Sequence, residues 1–343
     1  MKNILLIFCL LIEGGSISFA AKPEVSAFID TYYAYDFNKP LDFDRSYTTQ
    51  PARHNEFNVN LAYIDAKISE EKFRARFALQ AGTSVQSNYS SEPTKGIISG
   101  ASLSRHIQEA VGGFQPFKDF WIDAGIYLSH VGAESFISKD NILYTRSLVA
   151  DYSPYYQSGV RFSYSPLAKL SLQLHVVNGW QNISESNGLK TIGTQANYNF
   201  SDKTSITYNT LLGNESSFRQ FHDLIFKTNL FEKWTINLQA DIGKQKRTWY
   251  GFSYMNGFHI TDKLTFTNRL EYYSDKNQII ITTNTPRGFQ TWSASIGSDI
   301  KVHEKIMWRS ELRGYRSQDR IFPSKYGLKI NDGVIVTSLG IQI

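Results

Sequence analysis

Charged side chains recur at alternate positions in this 343-residue chain, with apolar residues set between them. Arg74 and Arg76 enclose Ala75, Asp123 lies between Ile122 and Ala124, and Arg161 lies between Val160 and Phe162. Arg269 and Glu271 enclose Leu270, while Arg309, Glu311 and Arg313 alternate with Ser310 and Leu312. Guanidinium and carboxylate groups on one face of an extended chain can pair, or set a field across a watery passage that sorts ions by charge. Both signs are present, so weak charge selectivity at most is expected. Catalysis finds no comparable support. The 7 His form neither an HExxH pair nor any metal-ligand spacing, and the chain has no GxSxG elbow and no P-loop. His130 follows Ser129 in sequence only, whereas a nucleophile and its base must meet in space. Asp275-Lys276-Asn277 holds too few ligands for a calcium loop and reads as a turn. The sequence therefore gives no enzyme, cofactor or metal reading.

The elements carrying these charges have a period of two. Phe57 to Tyr63, Arg74 to Gln80, Trp234 to Ala240 and Ile335 to Ile343 all alternate apolar and polar residues. Such alternation marks strands with one apolar and one polar face, and about sixteen runs of this kind follow one another. Among them are runs at 71–88, 103–116, 118–128, 248–260 and 334–343. The links between runs differ in length by turns. Short ones fall at 69–70, 117–118, 201–202, 232–233 and 261–262; longer polar ones fall at 38–53, 89–102, 129–153, 276–288 and 317–333. Short turns at one end and long loops at the other are the organisation of an outer-membrane barrel.

The apolar face must then meet lipid, because Lys or Arg at the bilayer midplane costs ~2–4 kcal/mol. One phase turns Phe73, Ala75, Phe77 and Leu79 outward and Arg74, Arg76 and Gln80 inward; the same rule sends Trp308 and Leu312 out and Arg309, Glu311 and Arg313 in. The runs near 104–114 and 249–259 give no clean phase. Burying so many charged groups without water would cost several kcal/mol for each unpaired one. A polar lumen is the alternative, and a barrel of about sixteen strands is wide enough to hold water.

The amino terminus fits export. Lys2, the apolar run Ile4–Ile12 and Ser18-Phe19-Ala20 make a secretory signal peptide over 1–20, leaving 21–343 as the barrel. The only cysteine, Cys9, lies in that leader, so the mature chain holds no disulfide. The leader carries one Lys and one Glu, so the net charge stays +5 without it, and the cations are scattered. No nucleic-acid partner is expected. Aromatic residues make up 14% of the chain, and Tyr32, Tyr33, Tyr35, Tyr63, Trp121, Tyr155, Tyr156, Trp234, Tyr272, Tyr273, Trp292 and Trp308 are expected to form girdles at the lipid–water boundaries.

Several stretches resemble the OmpL-like β-barrel porin family. They are Phe28 to Pro40 with Asn55 to Ala62; Asp123 to Ser135 running into Asp140 to Ser147; and Pro154 to Arg161 with Val177 to Trp180. The likeness implies a Gram-negative outer-membrane barrel in contact with lipid, and names no solute.

The link 129–153 is the expected constriction. It is placed in the lumen with Glu134, Asp140 and Arg146 facing Arg74, Arg76 and Arg161, the other placement being a cap over the outer mouth. The functional reading is passive diffusion of small hydrophilic solutes and ions, with homo-oligomers as one assembly. The alternative is a plugged barrel serving as a surface adhesin or structural anchor. A soluble β-sandwich is a third.

Overall fold

Alternation of period two becomes a single closed sheet in the computed structural model, which describes residues 22–343. The expected leader and its cleavage after Ala20 lie outside the described residues. The first eight strands are β1 (Glu24–Asp36), β2 (Phe57–Ser69), β3 (Phe73–Ala81), β4 (Ile107–Phe117), β5 (Phe120–Leu128), β6 (Tyr156–Leu167), β7 (Leu170–Val177) and β8 (Thr191–Ser201). There follow β9 (Thr204–Asn214), β10 (Phe218–Leu230), β11 (Trp234–Gln245), β12 (Arg247–His259), β13 (Leu264–Asp275), β14 (Phe289–His303) and β15 (Ile306–Ser317). A small hairpin, β16 (Phe322–Ser324) and β17 (Gly327–Lys329), precedes the last wall strand, β18 (Asn331–Gln342). Each wall strand pairs antiparallel with its neighbours, and β18 closes the cylinder on β1 with Phe28 opposite Gln342. The wall is thus an all-β, 16-stranded antiparallel barrel, as the alternation and turn signals imply.

The side-chain phase follows from burial. Along β3, Phe73, Phe77 and Leu79 are exposed on the outside while Ala78 and Gln80 are buried inside. Along β15, Trp308 and Leu312 face out and Arg309, Glu311 and Arg313 face in. Two strands that the pattern leaves ambiguous have separate explanations. In β4 the register slips where Ala78 faces Glu109 but Leu79 faces Ile107, a bulge that sends both Gln108 and Glu109 inward. In β12 the alternation is regular, but its inner face carries Trp249, which packs in an apolar cluster inside the barrel, and the fully buried Met255.

Two links differ from the sequence reading. The run 71–88 ends as a strand at Ala81; Gly82, at φ 144°, approaches Asn60 so closely that a Cβ would lie 2.2 Å from its carbonyl oxygen, and α1 (Thr83–Asn88) follows. The connection 318–330 holds the β16–β17 hairpin. The twelve aromatic residues assigned to girdles also divide: Tyr33, Trp234, Tyr272, Trp292 and Trp308 lie on the outer face, whereas Tyr32, Tyr63, Tyr155, Tyr156 and Tyr273 are buried on the inner side.

Candidate functional site

The connection from β5 to β6 leaves the wall and crosses the interior. At its root Ser129 N–H donates to the Tyr155 carbonyl at 3.0 Å. The chain then reaches the far wall: Gly132 N–H donates to Asp223 on β10 at 2.8 Å, Ala133 N–H to Gln239 on β11 at 3.0 Å, and Lys227 Nζ to the Ala133 carbonyl at 2.9 Å. Asp30 on β1 accepts from Ser138 at 2.6 Å and from Tyr144 at 3.2 Å. Leu143, Thr145, Ser147, Leu148 and Val149 are each 0% exposed, so this segment lies inside the barrel rather than over its mouth.

A buried charge cluster holds the tip. Arg269 donates to the Thr145 carbonyl at 2.6 Å and to its hydroxyl at 2.7 Å, and pairs with Glu271 and Glu311, each at 3.1 Å. Glu311 accepts from Thr145 N–H at 2.8 Å, and Glu271 from Leu148 N–H at 2.5 Å. Arg313 joins Glu271 at 2.5 Å and donates to the Arg146 carbonyl at 2.6 Å. Arg309 reaches the carbonyls of Ser138, Asn141 and Ile142 at 2.6–2.9 Å while paired with Asp299. Within this cluster Arg269, Arg309 and Arg313 each meet a carboxylate, which is what such burial requires. Glu134 bonds Ser147 and lies 3.9 Å from Arg269; Arg146 stacks 3.7 Å above the Tyr155 ring. Burial pushes the Glu134 and Asp151 carboxyls above the ordinary range, and the nearby guanidiniums pull them back only in part. The helix α2 (Leu148–Asp151) then packs Val149 against Gly251, where a Cβ would come within 2.7 Å.

The opposite wall is wetter. Arg74 forms a two-point bond to Asp123 at 2.7 and 2.6 Å and stacks 4.2 Å over Trp121; Arg161 meets the same carboxylate at 3.0 Å. Arg76 pairs with Asp65 at 3.0 Å and with Glu109. The side chains of Arg74 and Arg161 retain 34% and 24% exposure, against 0% for Arg269 and Arg313. Water reaches the first set and not the second. A cavity of about 270 Å³ beside the crossing segment is bounded by Glu134, Asp140, Lys203, Lys227 and Asn237.

The placement differs from expectation in one respect. Glu134 bonds Ser147 and lies near Arg269 on β13, and the Arg146 guanidinium donates to the Ala150 carbonyl and stacks on Tyr155; neither meets Arg74 or Arg161, which are held by Asp123. Of the expected partners Arg76 is near enough to act on exposed Asp140, whose carboxyl burial raises while Lys139 and then Arg76 lower it. Asp30, Thr145 and Asp223 escaped the sequence reading. His130 bonds Gln157 and the Thr210 carbonyl, each at 3.0 Å, and stacks 4.0 Å from His175, with no bond to Ser129.

Other loops complete the interior. Thr49 donates to Asp151 at 2.6 Å and Gln50 to the Phe136 carbonyl at 2.9 Å, so the β1–β2 loop grips the crossing segment. Leu148 and Val149 share an apolar cluster with Trp249, Tyr273, Phe289 and Phe322 toward the long-loop end.

Solved structures with the same architecture are outer-membrane channels. The outer membrane channel DcaP of Acinetobacter baumannii superposes with a TM-score of 0.64 at 9% identity, covering 95% of this chain and 99% of that one. A Rhodopseudomonas blastica porin mutant gives 0.59 at 10% identity, covering 94% and 100%, and an anion-selective porin from Comamonas acidovorans 0.57 at 10%, covering 94% and 99%. At these identities they establish the fold. No curated protein matches the sequence. A family model, beta-barrel porin-2, OmpL-like, matches residues 22–343.

Proposed function

This chain belongs to the OmpL-like beta-barrel porin-2 family of the Gram-negative outer membrane, and from that premise we propose that it passes small hydrophilic solutes and ions by diffusion alongside its crossing segment. The observation that carries the reading is the segment 129–155 bound to the β13–β15 wall, which leaves Arg74, Arg76 and Arg161 on the wetted side. Solutes would pass between that segment and the β3–β6 wall, so those arginines, with Asp123, line the path; Glu134, Asp140 and Arg146 form its other edge, and Arg269, Glu271, Arg309, Glu311 and Arg313 are its anchorage. The chemistry is that of a passage with no covalent step. Contact with small solutes and self-association of barrels belong to the same proposal. Planar-bilayer recordings of the refolded chain test it: discrete, ohmic current steps are the expected result, and flux of small sugars into liposomes should accompany them.

A second reading is a plugged barrel that acts as an anchor or adhesin, and the apolar cluster of Trp249, Tyr273, Phe289 and Phe322 inside the long-loop end favours it. Absence of both current and liposome swelling from correctly folded protein would select this reading.

A further inference from the structure

The space along the β3–β6 wall is wet at one end and filled at the other. Arg74 is the second residue of β3, beside the short turn, and both it and Arg161 keep part of their surface in water. Tyr156 opens β6 at the long-loop end, five residues and about 17 Å along the strand from Arg161. There the β3–β4 connection turns inward. Its first residues, 82–92, carry α1, and Val85 and Tyr89 are buried in one apolar cluster with Phe136 and Ile137 of the crossing segment and with Tyr155 and Tyr156. The Tyr89 ring lies 4.1 Å from that of Tyr156 at an interplanar angle of 10°, and its hydroxyl accepts from Gln80 Nε2 on β3 at 3.1 Å. Tyr89 therefore bridges β3 and β6, and residues 82–92 fill the outer end of the gap between the crossing segment and this wall.

These residues are held differently from the crossing segment. Glu92 is the only charged residue from Gly82 to Glu92, and it forms no ion pair among the described residues. Its buried carboxylate accepts from the Tyr156 hydroxyl at 2.7 Å, from Ser184 N–H at 2.7 Å and from Ile183 N–H at 3.0 Å. Gln181 Nε2 adds a bond to the Asn88 carbonyl at 3.1 Å. Neutral donors thus fasten the segment to the start of β6 and to the β7–β8 loop. The crossing segment is fixed instead by Arg269, Arg309 and Arg313, each paired with a carboxylate. Parting the Glu92 clasp gives one carboxylate to water, which solvates it, whereas undocking Thr145 disturbs buried charges of both signs. The first opening costs less, so it comes first.

We propose that residues 82–92 are a lid over the outer end of the passage and that Glu92 is its latch. The lid rests on the reading that solutes diffuse along the β3–β6 wall, and it sets the fraction of time that this route is open. Solutes pass when the clasp parts and Tyr89 leaves Tyr156, while the crossing segment stays docked. Glu92 is a positioning residue: it touches the lid's partners and no solute.

Planar-bilayer recordings of three forms of the refolded chain, each beside the wild type, test the lid. Glu92→Ala removes all three bonds of the clasp, and the open fraction should rise about tenfold or more, the equivalent of a single bond to a charged acceptor. Tyr156→Phe removes one bond and keeps the ring pair, so its rise should be smaller. In the third form Lys95→Cys and Ser186→Cys are joined by a bifunctional thiol reagent with a reducible centre. Lys95 Nζ donates to the Ser186 carbonyl at 3.0 Å, so this tether spans a contact that the closed lid already makes. Tethering should remove most of the current, and reductant should restore it. Heat-shifted mobility on gels reports folding, and the tether comparison stands even if Glu92→Ala does not fold. A folded Glu92→Ala with the wild-type open fraction, or current indifferent to the tether, would overturn the lid and leave the passage standing. Absence of current from every form, the released lid included, would overturn the passage and the lid with it.

Discussion

Arg269→Met removes the group that clamps the crossing segment most directly. Its guanidinium is fully buried, holds Thr145 through two bonds of 2.6 and 2.7 Å, and balances Glu271 and Glu311 at 3.1 Å. Methionine fills much of the same volume, so cavity formation is a minor part of the effect. Breaking a buried pair by deleting one partner costs ~3–5 kcal/mol, since the remaining charge is left uncompensated. Here Arg313 still neutralises Glu271, and Thr145 N–H still bonds Glu311, which places the cost at the lower end, about 3 kcal/mol. At 1.36 kcal/mol per decade, the undocked population of residues 143–149 should rise by roughly two orders of magnitude. Hydrogen exchange read by mass spectrometry should show the Thr145 and Leu148 amides exchanging about a hundredfold faster, with barrel amides of β9 and β10 unchanged. Single-channel traces should become noisier on the same variant. Unchanged exchange across 143–149 in a folded variant would refute the clamp.

Three further outcomes follow from the same structure. Phe77→Arg, on the lipid face, should lower stability in lipid by ~2–4 kcal/mol in denaturant titrations, whereas Gln173→Arg, on the polar inner face of β7, should cost far less. Gly243→Val should dislodge Trp249, since a Cβ there would lie 2.0 Å from the indole ring; a red-shifted Trp emission and a loss of about 1–3 kcal/mol are expected. Reversal potentials in a salt gradient should show weak selectivity at most, because Arg74 and Arg161 share Asp123 while Arg76 meets Asp65 and Glu109.

The wall was legible wherever lipid and water impose opposite demands on successive residues. In β3 and β15 that demand is unopposed: apolar and charged positions alternate from Phe73 to Phe77, and from Trp308 to Leu312 with only Ser310 departing from the pattern. It was obscured in β12 because Trp249 and Met255 face protein, not water, and in β4 because one extra residue shifts the phase midway. Half of the aromatic residues assigned to the outer girdle serve the interior for the same reason: loops fold inward and give the inner face an apolar partner. The crossing of 129–155 was legible as a long, charged connection. Its destination was not, because the contact between Thr145 and Arg269 spans 124 residues and depends on barrel closure.

The central claim is that water reaches Arg74 and Arg161 on the β3–β6 side and does not reach Arg269 and Arg313 on the β13–β15 side. Cys9 is the only cysteine of the sequence and residues 22–343 hold none, so single thiols introduced there report cleanly. Ser163→Cys, beside Arg161 on the inner face of β6, and Ser295→Cys, behind Thr145 on β14, should be compared during single-channel recording with a charged methanethiosulfonate reagent. Current through Ser163→Cys should step to a new level within seconds of reagent addition, and current through Ser295→Cys should stay constant. Equal modification of both positions, or a response at 295 alone, would contradict the account.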